Sequence, residues 1–131
     1  MTKLIDLEPL RMALQALEAV LVMPDHKIPH DILRDSGIQR FEFSFELTWK
    51  TLRRYMSIYF GKSEKHTRAV LKLAFEMKLI DDIKIWDVFL EARNLSSHEY
   101  GVEISEKIFA TAKVFLPLGK EALKRMEEGL A

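Results

Sequence analysis

The sequence predicts an all-α protein, an antiparallel up-and-down bundle of four long helices with a short accessory helix. Proline and glycine are scarce, at four and five of 131 residues. Apolar residues recur at spacings of three and four, which is the period of one helix face. Hydrophobic residues make up 48% of the chain, enough to bury a core without disulfides, and we expect one domain over residues 1–131.

The composition limits the kinds of functional site that the chain can contain. Cysteine is absent, which excludes a thiol nucleophile and zinc–thiolate sites. Twenty Lys and Arg balance twenty Asp and Glu, so any site for an anion must be a local cluster. The chain shows no signal-peptide pattern and no apolar run approaching about 18 residues. We therefore expect a cytoplasmic protein without membrane attachment.

The first helix is predicted from about Asp6 to Val22, with Asp6 as its N-cap. Pro24 and Pro29 should end it, because each proline removes an amide donor and favours extended geometry in the preceding residue. Its apolar face carries Leu7, Leu10, Leu14, Leu17 and Leu21.

The second helix should end near Phe60, before Gly61. Two starts are possible. The helix begins either at Asp31 or at Ser36, which can form a Ser-x-x-Gln capping box with Gln39. Its apolar surface is wider than a singly packed helix needs, so we expect a central helix with several neighbours. That surface comprises Phe41, Phe43, Phe45, Leu47, Thr48, Trp49, Leu52, Tyr55 or Met56, and Tyr59.

Three further helices complete the prediction. The accessory helix spans about Thr67–Leu79, and the fourth helix is capped by Asp81 or Asp82. The last begins at Val102 or Ser105 and ends near Glu128, with a kink expected at Pro117. Core-facing residues of the last two are Ile85, Trp86, Phe89, Leu90, Ile104, Ile108, Phe109, Ala112, Phe115, Leu116 and Leu123.

The stretch from Arg93 to Tyr100 holds the greatest density of functional groups. On an unbroken helix Arg93 and His98 would project about 140° apart. Ser96 and Ser97 favour helix ends, so we expect the helix to stop between Arg93 and His98, which allows both side chains to reach one cleft.

This pair suits phosphodiester chemistry without a metal. A guanidinium can grip phosphate oxygens and stabilise developing charge, and an imidazole can move the proton of a ribose 2′-hydroxyl or of the leaving oxygen. An Arg and a His near a helix C-terminus can equally be caps that complement the helix dipole. His26 and His30 lie across Pro29, which prevents a regular helical metal pair, and we assign no metal.

Two motifs carry a family resemblance. Arg93-x4-His98-x-Tyr100 is similar to the signature of HEPN domains encoded beside a minimal nucleotidyltransferase. The segment from Ile38 to Leu52, IQRFEFSFELTWKTL, resembles the other hallmark of the branch known as nucleotidyltransferase substrate-binding proteins. Trp86 precedes Arg93 as a tryptophan does in that family.

The resemblance implies a four-helix homodimer whose Arg and His line a shared cleft. Related proteins are metal-independent RNases that act as toxins, and a small nucleotidyltransferase neutralises them, in some systems by adding AMP to the tyrosine. Arg93 would then bind the scissile phosphate of RNA, His98 would be the general acid or base, and Tyr100 the modified residue. No cofactor is implied.

The same branch has a second interpretation, as a non-catalytic substrate-binding subunit of a two-component nucleotidyltransferase. Both interpretations use the same cleft. Candidate contacts to nucleotide, RNA or partner are Asn94, Ser97, Glu46 and Lys50. For Glu46 and Lys50 the alternative is an intrahelical ion-pair face.

Overall fold

The computed structural model describes residues 5–24, 26–96 and 101–130, and within them the chain is helical, without strands. The helices are α1 (Glu8–Leu21), α2 (His30–Phe60), α3 (Thr67–Glu76), α4 (Ile83–Ser96) and α5 (Val102–Leu130). The prediction of an all-α bundle with a short accessory helix, α3, is confirmed. Within the described ranges, no helix combines the length and apolarity needed to cross a bilayer.

Hydrogen bonds between α1 and α2 show that these helices are antiparallel. The Ser44 hydroxyl donates to the carbonyl of Ala13 at 3.1 Å, and Arg40 donates to the carbonyl of Ala16 at 2.6 Å. Moving forward along α2 therefore means moving backward along α1.

The directions of α4 and α5 complete the up-and-down arrangement. Along α5, Phe115 contacts Phe89 and Arg125 contacts Asp81, so α4 and α5 are antiparallel. Phe41 of α2 meets the same Phe115. Further towards their N-termini Arg34 of α2 lies 3.3 Å from Glu106 of α5, which makes these two helices parallel diagonal partners.

The prediction that α2 is central is confirmed, because α2 contacts all four other helices. The middle of the core is aromatic. Ring centroids of Phe41, Phe45, Trp86 and Phe89 lie 5.3–6.1 Å from that of Phe115, mostly edge to face. All five side chains are buried. This cluster fixes how α2, α4 and α5 face one another, and so it positions the polar residues at the edges of the interfaces between these helices.

The start of α2 differs from both predicted positions. The helix begins at His30, directly after Pro29, whose ψ of 141° is extended. Ser36 therefore lies inside the helix and forms no capping box. Gly37, the residue after Ser36, lies against the ring of Phe109, and a Cβ there would come within 2.5 Å of that ring.

Other helix ends shift by smaller amounts. The N-cap of α1 is Leu7, although the Asp6 carboxylate still accepts the Glu8 amide at 3.0 Å. Helix α3 ends at Glu76 rather than Leu79, because Lys78 turns the backbone left-handed with φ of 62°. Asp82, of the two candidates, caps α4 by accepting the Lys84 amide at 2.9 Å.

Two further predictions concern the long helices: that Phe43 belongs to the apolar surface of α2, and that Pro117 kinks α5. Phe43 does not join the apolar contacts of α2, since 64% of its surface is exposed. Helix α5 begins at Val102, one of the two predicted starts, and runs through Pro117 to Leu130. The kink at Pro117 stays a prediction.

Candidate functional site

Arg93 lies in the last turn of α4, as the sequence predicted. Helix α4 is anchored by Trp86, Phe89 and Leu90, which are buried in the core. At its C-terminal end the Ser96 hydroxyl donates to the carbonyl of Arg93 at 2.7 Å. Such a bond satisfies one of the carbonyls that a helix end leaves unpaired. This bond helps to hold the helix end that carries Arg93.

The guanidinium of Arg93 is held by a residue of another helix. Its Nη2 forms an ion pair with Oε1 of Glu46 on α2, and its Nη1 donates to Oδ1 of Asn94 at 3.2 Å. The Arg93 and Glu46 side chains are 36% and 24% exposed. Because the guanidinium carries five donors, these two contacts leave N–H groups that a ligand can use. Arg93 is thus oriented and still accessible.

Glu46 also connects Arg93 to a second cation. Its other carboxylate oxygen lies 3.6 Å from Nζ of Lys50, one turn further along α2. The intrahelical ion pair considered for Glu46 and Lys50 is therefore present, and their contact with nucleotide, RNA or a partner stays a prediction. Glu46 additionally reaches the predicted site residue Arg93.

Trp49 lies beneath the cations that continue along α2 from Lys50. Its side chain is only 8% exposed, so it belongs to the core. Two cations lie over its ring: the Arg53 guanidinium carbon at 5.4 Å from the centroid and the Lys50 ammonium at 5.8 Å. Cation–π contacts of this kind limit the freedom of long cationic side chains.

The predicted partners of Arg93 that follow it in the sequence lie outside the described residues. These are His98, Ser97 and Tyr100, and their roles stay predictions. The described chain resumes at Gly101, whose carbonyl accepts both the amide and the hydroxyl of Ser105 at 3.1 Å.

His30, one of the two histidines considered as metal ligands, contacts a carboxylate and an aromatic ring. His30 Nε2 lies 2.7 Å from Oε1 of Glu106, and its ring meets Phe109 edge to face. The hydrogen bond with His30, aided by Arg34 and partly opposed by burial, lowers the pKa of Glu106 below its ordinary value. No group of three or more His, Asp or Glu side chains that could hold a metal ion occurs in the described ranges.

The sequence alone missed two contacts of this site. The Glu46–Arg93 pair joins separate helices. The sequence indicated it only through the position of both residues beside apolar faces that were expected to pack together. The stacking of Arg53 on Trp49 had a clearer signal, since residues four apart on a helix are neighbours.

Fold and site together define a class: an all-α bundle that presents an oriented arginine at the end of its fourth helix. Comparison with known proteins agrees. The family model described as nucleotidyltransferase substrate binding protein like matches residues 5–128. The chain belongs to this family, and the resemblance drawn from the two sequence motifs is confirmed.

Individual relatives support the assignment. The chain is 27% identical, over 128 aligned residues covering 88% of each protein, to the probable ribonuclease HepT of Haemophilus influenzae. A crystal structure from Thermus thermophilus matches with a TM-score of 0.81 and 28% identity, covering 89% of this chain and 98% of that one. HI0074 of Haemophilus influenzae matches with a TM-score of 0.80 and 26% identity, covering 93% and 99%. That structure is described as revealing the fold of a substrate binding domain of a nucleotidyltransferase.

Proposed function

We propose that this protein is the HEPN component of a toxin–antitoxin pair and a metal-independent endoribonuclease. The observation that carries the proposal is the oriented, accessible Arg93 at the start of the Arg93-x4-His98-x-Tyr100 motif. The similarity to a probable ribonuclease supports it.

The proposed reaction is attack by a ribose 2′-oxygen on the adjacent phosphorus. Arg93 binds the non-bridging oxygens and stabilises their added charge in the transition state. His98 acts as general base for the 2′-hydroxyl proton or as general acid for the leaving 5′-oxygen. As the bond from phosphorus to the 5′-oxygen breaks, a 2′,3′-cyclic phosphate and a free 5′-hydroxyl form. Two subunits sharing one cleft could supply one histidine for each proton.

We further propose a homodimer formed through the exposed side of α1 and α2. Phe43 and Met12 are 64% and 60% exposed there. They line a groove of about 570 Å³ whose wall also includes Pro9 and Leu47. Phe43 lies one turn before Glu46, so this apolar surface adjoins the Arg93 site. A second copy bound here would bring two Arg93 side chains towards a shared cleft.

Regulation in the proposed system comes from a partner nucleotidyltransferase. The Tyr100 phenol oxygen would attack the α-phosphorus of ATP, forming a phosphodiester to AMP and releasing pyrophosphate. The bulky anionic group would then repel substrate phosphate near Arg93. An added AMP mass on Tyr100 after co-expression with the partner is the expected result, and an unmodified tyrosine beside an active partner would remove this mechanism.

The test of the ribonuclease is cleavage of RNA by the purified protein. Arg93→Ala and His98→Ala should abolish both cleavage and growth inhibition while the helical circular dichroism is unchanged. Arg68→Ala is the matched control, because Arg68 is an exposed arginine whose one ion pair among the described residues is with Asp87. A wild-type protein that cleaves no RNA and is harmless without its partner would contradict the proposal.

The alternative function is a non-catalytic substrate-binding subunit of a two-component nucleotidyltransferase. The family description and that of the HI0074 structure favour it. It predicts a stable complex in which this chain changes the substrate choice of the nucleotidyltransferase. In that case Arg93→Ala would alter nucleotide transfer by the complex, and RNA would stay intact.

A further inference from the structure

A line of cations on α2 leads away from the Arg93 site. A series of contacts connects it to that site: Arg93 pairs with Glu46, Lys50 lies 3.6 Å from that carboxylate, and Lys50 and Arg53 share the ring of Trp49. Arg54 follows Arg53 on the exposed surface of the helix.

Two of these cations differ from every other arginine of the chain. Arg11, Arg34, Arg68, Arg93 and Arg125 each form an ion pair. Arg40 instead donates to the carbonyl of Ala16. In the described part of the chain, Arg53 and Arg54 have neither an ion pair nor a hydrogen bond. Their charge is therefore available to an external anion.

The arrangement suits an extended polyanion better than a compact one. Residues 50, 53 and 54 are spaced by three and four, so they lie along one side of α2, where Lys50 and Arg54 also border an open groove that includes Asp6. Stacking on Trp49 holds Arg53 in place, which lowers the entropy lost when it binds a phosphate. The chain has no net charge, so an anion would be attracted by this local row and not by the protein as a whole.

We infer that Lys50, Arg53 and Arg54 form a binding track for the phosphates of single-stranded RNA that flank the bond at Arg93. This inference rests on the proposed ribonuclease function for its ligand. RNA is favoured over an acidic protein because the row is continuous with the residue proposed to bind the scissile phosphate. Glu46, neutralised by cations on both sides, separates the reacting position from the track.

The test measures binding of a fluorescent RNA whose 2′-hydroxyls are all methylated, so that cleavage does not interfere. The variant is the double substitution Arg53→Gln/Arg54→Gln in the full chain. Its matched control is Lys84→Gln/Lys113→Gln, which removes two exposed cations from α4 and α5. The track variant should bind about tenfold more weakly, and the slope of log Kd against log salt should fall by about 1.4, or 0.7 for each lost phosphate contact. The control should change Kd less than about twofold.

A second variant separates charge from fold. Arg53→Lys/Arg54→Lys keeps both charges and should restore most of the salt slope. Equal weakening by the control pair, or unchanged binding by the Gln pair, overturns the track. Unchanged RNA binding with loss of the nucleotidyltransferase complex would show that the row docks a protein instead, and also overturns it. Failure of the ribonuclease proposal is distinct, because it is read from unmodified RNA left uncut by the wild-type protein.

Discussion

The ion pair between Arg93 on α4 and Glu46 on α2 joins the two sequence motifs of the family across a helix interface. A phosphate that binds Arg93 must share its guanidinium with this carboxylate or displace it. The pair is part-exposed, so its direct contribution to stability is at most about 1 kcal/mol. Its main effect is to offset the positive charge of Arg93 and to orient the guanidinium.

Glu46→Gln should therefore tighten binding of non-cleavable RNA by about two- to fivefold, since a negative charge beside the phosphate site is removed. The free energy of unfolding should fall by less than about 1 kcal/mol. Fluorescence anisotropy and urea denaturation give the two quantities. Glu42→Gln, one turn earlier on α2, is the control, because Glu42 forms no ion pair within the described chain. Weaker RNA binding by Glu46→Gln would show instead that the carboxylate serves mainly to aim Arg93.

The helices were predictable from the sequence because one periodic apolar face largely determines each of them. The leucines of α1 and the aromatic residues of α2 specify their inward sides without reference to the rest of the chain. The position of Arg93 in a last helical turn followed from the serines after it. These are local properties, and local properties can be read from spacing.

The contacts between helices were less predictable, since they depend on how each helix rotates against its neighbours. Phe43 looks like core in a helical pattern, but α2 turns it outward because Phe41 and Phe45 already fill the inward side. The capping box at Ser36 failed for a related reason. Pro29, seven residues before Ser36, is the N-cap of α2. The helix therefore continues through Ser36, whose neighbours on both sides are helical.

The aromatic cluster around Phe115 should dominate stability. Phe115→Ala removes the ring that four other aromatic side chains contact, so we expect a loss of about 3–5 kcal/mol in the free energy of unfolding. Urea denaturation followed by circular dichroism measures it. Val114→Ala is the adjacent control, since Val114 is exposed, and should change stability by no more than about 0.5 kcal/mol. Similar effects of both substitutions would mean that the cluster does not organise the core.

Asp81 should contribute to the acid sensitivity of the fold. The hydrogen bonds from Arg125, at 2.7 and 2.6 Å, lower the pKa of Asp81 below its ordinary value. A carboxyl whose pKa is lowered by folding stabilises the protein above its unfolded pKa, and this contribution is lost as the pH falls through the folded value. Asp81→Asn should therefore lower Tm at pH 7 and flatten the fall of Tm between neutral and acid pH. The control is Glu76→Gln, an exposed carboxyl of α3, which should leave the profile unchanged. A wild-type slope in Asp81→Asn would assign the acid response to other groups, such as Glu106.

The dimer proposed through α1 and α2 makes the last prediction. In a two-fold interface each subunit contributes the same side chain, so one substitution removes Phe43 twice. A buried aromatic hot-spot residue is worth at least about 2 kcal/mol, so the loss of two corresponds to about 4 kcal/mol, or a rise of about 700-fold in the dimer Kd. Phe43→Ser should therefore shift the protein towards monomer in sedimentation velocity, with unchanged helicity because the side chain is exposed in the isolated subunit.

The control for this prediction is Phe75→Ser, which removes an exposed phenylalanine of α3 from a different face. If cleavage needs both subunits, the activity of Phe43→Ser should recover as its concentration is raised, whereas Arg93→Ala should stay inactive at every concentration. That recovery separates loss of assembly from loss of chemistry. If Phe43→Ser stays dimeric, the dimer interface lies on another surface of the protein. The exposed Phe43 would then be a docking position for the nucleotidyltransferase.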